Sequence, residues 1–247
     1  MNWVDWLNLG LILFLLGLML IYAAVSKERT SRALRVIPAF EELRRAIGLA
    51  VEAGKRLHLS LGWGALTTPR SAVSFIGLSV LRRVARATSM SDLPPIATAG
   101  EATLTILSQD ALQSAARFLG GEFEPTQARL SGLTPLTFAA GALCDVHDES
   151  IGASVLIGSF GSEVALIHEA SERSGALSLT ASDQLPAQAV AYVTAQESLI
   201  GEEAFASGAY LGAGALHIAS LRAQDVVRWL LILAVLSGAI LKLLGVL

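Results

Sequence analysis

Two long apolar stretches, one near each end of the sequence, constrain this chain more than any other feature. Leu7 to Val25 reads LNLGLILFLLGLMLIYAAV, 19 residues with one polar amide, Asn8, and no charge. A helix needs about 20 predominantly apolar residues to cross the hydrocarbon core of a bilayer. Trp3 and Trp6 precede the stretch and Tyr22 lies near its far end, as in an interfacial aromatic belt. A secretory signal peptide carries basic residues before its apolar part; Asp5 stands there instead, so the stretch reads as a retained span. Val226 to Leu247, VVRWLLILAVLSGAILKLLGVL, is also long enough to span, with Trp229 as an interface anchor. Leu230 to Leu241 is apolar on every face, unlike a helix that covers a core with one side. Lys242 can extend its ammonium to the interface along its alkyl stem.

Basic residues orient the two stretches. Lys27, Arg29, Arg32 and Arg35 follow the first, Arg222 and Arg228 lead into the second, and the N-terminal tail has neither Lys nor Arg. The positive-inside rule predicts an inner (plasma) membrane protein with two spans, residues 26 to 226 in the cytoplasm and both termini outside. Lys242 is the one positive charge on the opposing side. The expected organisation is a transmembrane helix over 1–25, a basic juxtamembrane connector over 26–38, a cytoplasmic α/β domain over 39–225 and a second transmembrane helix over 226–247. The connector is suited to lie near anionic headgroups.

Composition narrows the function classes. Only 16% of the 247 residues are charged and the formal net charge is −3, against about 25% charged residues in ordinary soluble domains. Disorder and a nucleic-acid-binding arm are excluded on this balance. The single cysteine, Cys144, makes no internal disulfide and fits a reducing compartment.

The central region alternates helical and strand patterns. Phe40, Leu43, Ile47, Ala50, Val51 and Leu57 recur at helical spacing after Pro38, and this helix is expected to end around His58 to Gly64. Further helices are expected over 71–87, 101–119, from Pro135 to about 143, 162–173, 186–192 and 201–211, with another from Ile218 onward. Ile96 to Thr98, Ala153 to Ile157 and Ala176 to Thr180 read as strands, and Thr194 to Ser198 as strand or loop. Such alternation predicts a small, layered, parallel-type sheet in one α/β domain.

Few motifs carry chemistry. The strand ending Val155-Leu156-Ile157 runs into Gly158-Ser159-Phe160-Gly161-Ser162-Glu163 and a helix. Backbone N–H groups at such a helix start can hold an anion, and glycines let a ligand approach. The loop lacks the third glycine of a dinucleotide fingerprint and the Gly-Lys ending of a phosphate-binding loop. Glu163 repels phosphate, and the plain alternative is a tight turn with Ser162 as N-cap. Asp145, His147, Asp148 and Glu149 offer metal ligands but read as a solvated polar loop, so no metal and no cofactor is expected. His58 with Ser60, His168 and His217 are acid–base candidates whose plain reading is a surface or hydrogen-bonded histidine. Glu202 and Glu203 complement a helix dipole. Small residues from Ala204 to Gly214 permit close packing.

The segments Glu52 to Gly62, Leu107 to Asp110, Leu156 to Glu163, Pro186 to Val190, Ile200 to Glu203 and His217 to Asp225 resemble an uncharacterised bacterial membrane-protein family that bears a domain-of-unknown-function label. The resemblance covers most of residues 39 to 229. It implies a membrane-tethered domain and brings no catalytic residues with it.

Three functions fit the sequence. The first is an interaction or self-assembling scaffold protein whose partners are the lipid bilayer, copies of itself or another membrane protein, and not nucleic acid. The second is a binding module for a small anionic or nucleotide ligand at Gly158, Ser159, Gly161, Ser162 and Glu163, with His58 and Ser60 nearby. The third is a tethered enzyme that uses His58, Ser60, Glu163 or Glu202 in one cleft. The first is preferred, and catalysis is not expected.

Overall fold

A computed structural model describes residues 3–25, 35–64, 66, 72–88, 93–118, 120–212 and 214–245. The basic connector of the sequence reading falls largely outside these residues. In chain order the elements are α1 (Trp3–Val25), α2 (Pro38–Glu52), β1 (Arg56–Gly62), α3 (Ala72–Ala87), β2 (Ile96–Ala99), α4 (Ala102–Phe118), β3 (Ala128–Leu130), α5 (Pro135–Asp148), β4 (Ile151–Ser159), α6 (Val164–Arg173), β5 (Leu177–Ser182), α7 (Leu185–Thr194), β6 (Glu197–Leu199), α8 (Glu203–Tyr210) and α9 (Ala215–Leu243). They form two compact units, Val36–Ala213 and a second made of Met1–Arg35 with Gly214–Leu247.

The larger unit is an α/β domain. Among the described residues its six strands pair in the order β3-β2-β1-β4-β5-β6, and every pairing is parallel. This is a doubly wound order: the chain builds outward from β1 to one edge, crosses back, and builds outward from β4 to the other. Side chains alternate across each strand. Leu57, Leu59, Leu61, Ala97, Ala99, Ala153, Val155, Ile157, Leu179 and Ala181 belong to one apolar core, shared with α2, α3, α4 and α8. The opposite face carries His58, Ser60, Thr98, Ser154, Thr180 and Ser182, all buried. Helices α5, α6 and α7 cover that face, around a second core built on Phe138, Leu156, Phe160 and Ile167.

Several sequence expectations need correction. The first domain helix stops at Glu52, and the stretch read as its ending is β1, an inner strand of the sheet. Strand β3 had no counterpart in the sequence reading. Asp145, His147 and Asp148 lie on the last turns of α5 instead of in a loop. Arg129 on β3 bonds both the Asp145 carboxylate and Glu149 (2.7 Å), and Arg56 pairs with Glu149 at 3.2 Å. Those carboxylates therefore clamp the crossover between the two halves of the sheet.

In the smaller unit α1 and α9 pack on each other. Both are long and apolar enough to cross a membrane, and neither apolar window is buried. Helix α9 continues unbroken through Asp225 and Val226, where the sequence reading divides domain from span.

The central pair of strands meets through glycine. A Cβ on Gly158 would lie 2.0 Å from the Leu61 carbonyl oxygen, and one on Gly62 2.2 Å from that of Ser159. Both obstacles are backbone, so Gly158→Ala must part β1 from β4. It is expected to destabilise the chain by about 3 kcal/mol. Gly48, on the exposed side of α2, has nothing within 4 Å of a built Cβ, and Gly48→Ala should stabilise by up to about 1 kcal/mol through helix propensity. Denaturant unfolding of the detergent-solubilised chain measures both; equal stability of Gly158→Ala and wild type contradicts the packing described.

Candidate functional site

Ligands of doubly wound sheets bind outside the carboxyl ends of the strands, where the winding direction switches. Here that point lies between β1 and β4, and two short segments meet there. Gly62-Trp63-Gly64 leaves β1, and Gly158 to Glu163 leaves β4. The Trp63 N–H donates to the Ser159 carbonyl at 3.1 Å, and the Gly100 N–H donates to the Gly62 carbonyl at 2.8 Å. Gly62 has φ +77°, a left-handed conformation suited to glycine.

The loop after β4 is occupied by its own side chain. Glu163 Oε1 accepts from the Gly161 N–H at 2.7 Å and from Trp63 Nε1 at 2.6 Å. The sequence reading placed Ser162 as N-cap. The cap position is Glu163, whose side chain bonds the preceding turn and not the first turn of α6. The carboxylate reaches back because Gly161 lacks a Cβ; a built one would lie 2.5 Å from Glu163 Oε2. Of the loop residues, Gly158, Ser159 and Phe160 are buried, and Ser162 is exposed. The Phe160 N–H is held by Ser182 Oγ at 3.3 Å. Carboxylates also follow the other strands at this end: Glu101 after β2, Asp183 after β5, and Glu202 and Glu203 after β6. The rim is acidic, which opposes an anionic ligand.

His58 and Ser60 share a face of β1 but lie within the sheet. His58 is fully buried, with Nδ1 2.8 Å from Ser154 Oγ and Nε2 2.9 Å from Thr98 Oγ1. Thr98 Oγ1 donates to Ser60 Oγ at 3.0 Å. That donation fixes the proton order: Thr98 must accept from Nε2–H, and Ser154 donates to Nδ1. Burial, with a smaller contribution from the Arg129 charge, lowers the His58 pKa to about 3, so the imidazole is neutral. The ladder joins three strands, since Ser154 stands opposite His58 and Thr98 opposite Ser60.

His168 repeats the arrangement with the opposite tautomer. Its nitrogens lie 2.6 Å from Thr194 Oγ1 and 2.6 Å from Thr180 Oγ1. Thr194 donates its own proton to the Val190 carbonyl, so it accepts from Nδ1–H, and Thr180 donates to Nε2. Burial lowers this pKa to about 4. The structure thus joins His58 to Ser60 in one hydrogen-bonded chain and bonds Glu163 elsewhere, to Trp63. Sequence reasoning missed Thr98, Ser154, Thr180 and Trp63; the alternation Leu57-His58-Leu59-Ser60-Leu61 is the signal that could have placed His58 and Ser60 on one face of a strand.

Both histidines are neutral when folded and titrate at 6.5 when unfolded. The unfolded chain therefore binds more protons below that pH. Stability should be full above pH 6.5 and decline toward about pH 4, with each histidine contributing a slope of about 1.4 kcal/mol per pH unit. Denaturant titrations at several pH values check this, and His168→Gln should lower the slope by about half. A flat profile from pH 7 to 4.5 contradicts it.

No curated protein and no solved structure matches the chain. A family model described as Domain of unknown function (DUF6754) matches residues 1–247, and the chain belongs to that family.

Proposed function

We propose that the protein is a membrane-held interaction module that self-associates through the outer face of α7. The observation that carries this reading is the composition and exposure of that helix. Its sequence, LPAQAVAYVT, has no charged residue. Leu185, Ala189, Tyr192 and Val193 follow the i, i+4, i+7, i+8 spacing of one helical face. Leu185 is 77% exposed, Tyr192 71% and Val193 81%. Contiguous exposed apolar patches mark interaction sites when they exceed a few hundred Å², and the face of one short helix is smaller than the roughly 800 Å² per partner of a standard interface. Two copies anchored in one bilayer meet at a high effective concentration, which offsets the small area. A second copy suits the face because a two-fold contact lays one uncharged helix against its equal.

The two apolar helices supply the anchor. Helix α9, with 29 residues, is about 44 Å long and exceeds a hydrocarbon core of about 30 Å. Its first turns, with Arg222, Asp225 and Arg228, stand outside that core. With Lys27, Arg29, Arg32 and Arg35 these basic residues support a cytoplasmic α/β domain at the inner membrane.

Light scattering on the detergent-solubilised full chain tests the reading. Wild type should be dimeric or larger at tens of micromolar, and Tyr192→Lys with Val193→Asp should weaken association at least about thirtyfold with unchanged circular dichroism. A wild type that stays monomeric at every concentration overturns it.

The strand order supports a second reading, a ligand at the switch point. An anionic ligand must displace the Glu163 carboxylate from the Gly161 N–H. ATP and pyrophosphate should then raise the melting temperature, and more so in Glu163→Gln. No shift in either protein removes this reading.

A further inference from the structure

The α/β domain is acidic as a whole, but its charge is unevenly spread. Residues 36 to 213 hold 11 Lys and Arg against 18 Asp and Glu. Helix α3 reverses this balance, with Arg82, Arg83 and Arg86 and no carboxylate. These three and Phe75 are exposed and fall within about 100° of the helix circumference. Neighbouring α4 exposes Ile106, Arg117 and Phe118, with Asp110 as its one acidic residue. The two helices pack on each other over the same face of the sheet, and their outer sides meet. Arg82 lies 3.5 Å from Asp110, and Arg86 lies 5.6 Å over the Phe118 ring. Arg83 and Arg117 carry the excess charge, with no ion-pair partner among the described residues. Phe75, Ile106 and Phe118 are each half exposed or more.

We infer that this α3–α4 face docks on the anionic headgroup surface of the membrane that anchors the chain. The inference rests on the membrane-held reading and names the face that the domain turns to lipid. Three observations select this occupant. Large apolar side chains stand among the arginines, so Phe and Ile can enter the headgroup boundary while guanidinium groups bond phosphates. The rest of the domain is acidic, so a nucleic acid strand that wraps around it is repelled, whereas a flat anionic surface meets the basic side alone. Arg83 Nε is 3.7 Å from where a Cβ on Gly212 would lie, three residues before the start of α9 at Ala215. The face thus extends to the point where the chain leaves the domain for its anchor, and the tether keeps it at high effective concentration beside the bilayer. Helix α7 lies across the sheet from α3 and α4, so docking leaves its outer side clear of lipid.

A fluorescent probe on the full chain tests the inference. In a Cys144→Ser background, Ser114→Cys puts a thiol on the exposed side of α4, where an attached nitrobenzoxadiazole dye reports contact with lipid. In vesicles of phosphatidylglycerol and phosphatidylcholine in equal amounts, its emission should lie at shorter wavelength than in phosphatidylcholine alone. The same dye at Glu172→Cys, on exposed α6 across the sheet, should show no such difference. Arg83→Gln and Arg117→Gln should each lower the docking equilibrium about fivefold, the effect of one basic side chain near an anionic surface, with unchanged circular dichroism. An α4 probe that reads alike in both vesicles overturns the inference. So does a shift in phosphatidylcholine alone that grows with the protein-to-lipid ratio, which assigns the face to a second copy, or a shift that needs added RNA instead of anionic lipid. Flotation of the same vesicles separates the two levels. A chain that fails to float defeats the membrane-held reading and this inference together, and a chain that floats with an unshifted probe defeats this inference alone.

Discussion

The contact between β1 and β4 is the constraint on which the domain depends. Gly62 and Gly158 let the two backbones meet where any side chain would collide with a carbonyl. Each half of the sheet builds outward from that pair, so the register His58 opposite Ser154 is set at the centre. The register aligns a histidine, two serines and a threonine into one bonded ladder on the face away from the larger apolar core. Polar groups buried in a sheet are costly unless every partner is in place. Here the hydroxyl protons have a consistent order, and the imidazole stays neutral. The ladder therefore works as a specificity device: a slip of one residue would leave His58 facing the apolar side without partners.

The same economy of charge explains the surfaces. Where a doubly wound sheet commonly opens to a ligand, Trp63 and Glu163 bond one another and the rim carries further carboxylates. The polar chemistry of the domain is directed inward, into stability. The exposed apolar surface includes the face of α7 and the sides of α1 and α9 that do not pack on each other. Water covers such surface poorly, with a penalty of about 25 cal/mol per Å². Lipid covers the terminal helices on our reading, and a second copy covers α7. On our reading anchoring and association follow from one property, a chain with few charges whose α7 face and terminal helices leave apolar surface exposed.

Much of this was legible in the sequence, and the failures have physical causes. Strand β4 announces itself by the run Ala153 to Ile157, and α4 and α6 by their periodicity and the glycines that end them. Strand β1 was hidden because Leu57 continues the helical spacing of α2, while His58 and Ser60 look too polar for a buried strand. The alternation of Leu57, Leu59 and Leu61 was the correct signal, of period two. Strand β3, Ala128–Leu130, is an edge strand of three residues, too short to show any period. The partners of His58 come from positions 98 and 154, and no local pattern links them. The Glu163 carboxylate was recognised as hostile to phosphate, but its bonds to Gly161 and Trp63 depend on a turn that only the folded chain defines.

Association of the domain in the membrane is the central claim, and cross-linking tests it in place. In a Cys144→Ser background, Ala189→Cys puts the only thiol at the centre of the exposed α7 face, and mild oxidation of native membranes should yield a disulfide-linked dimer. The same thiol moved to Glu172, exposed on α6, should leave the chain monomeric. A dimer from both positions, or from neither, contradicts an interface on α7.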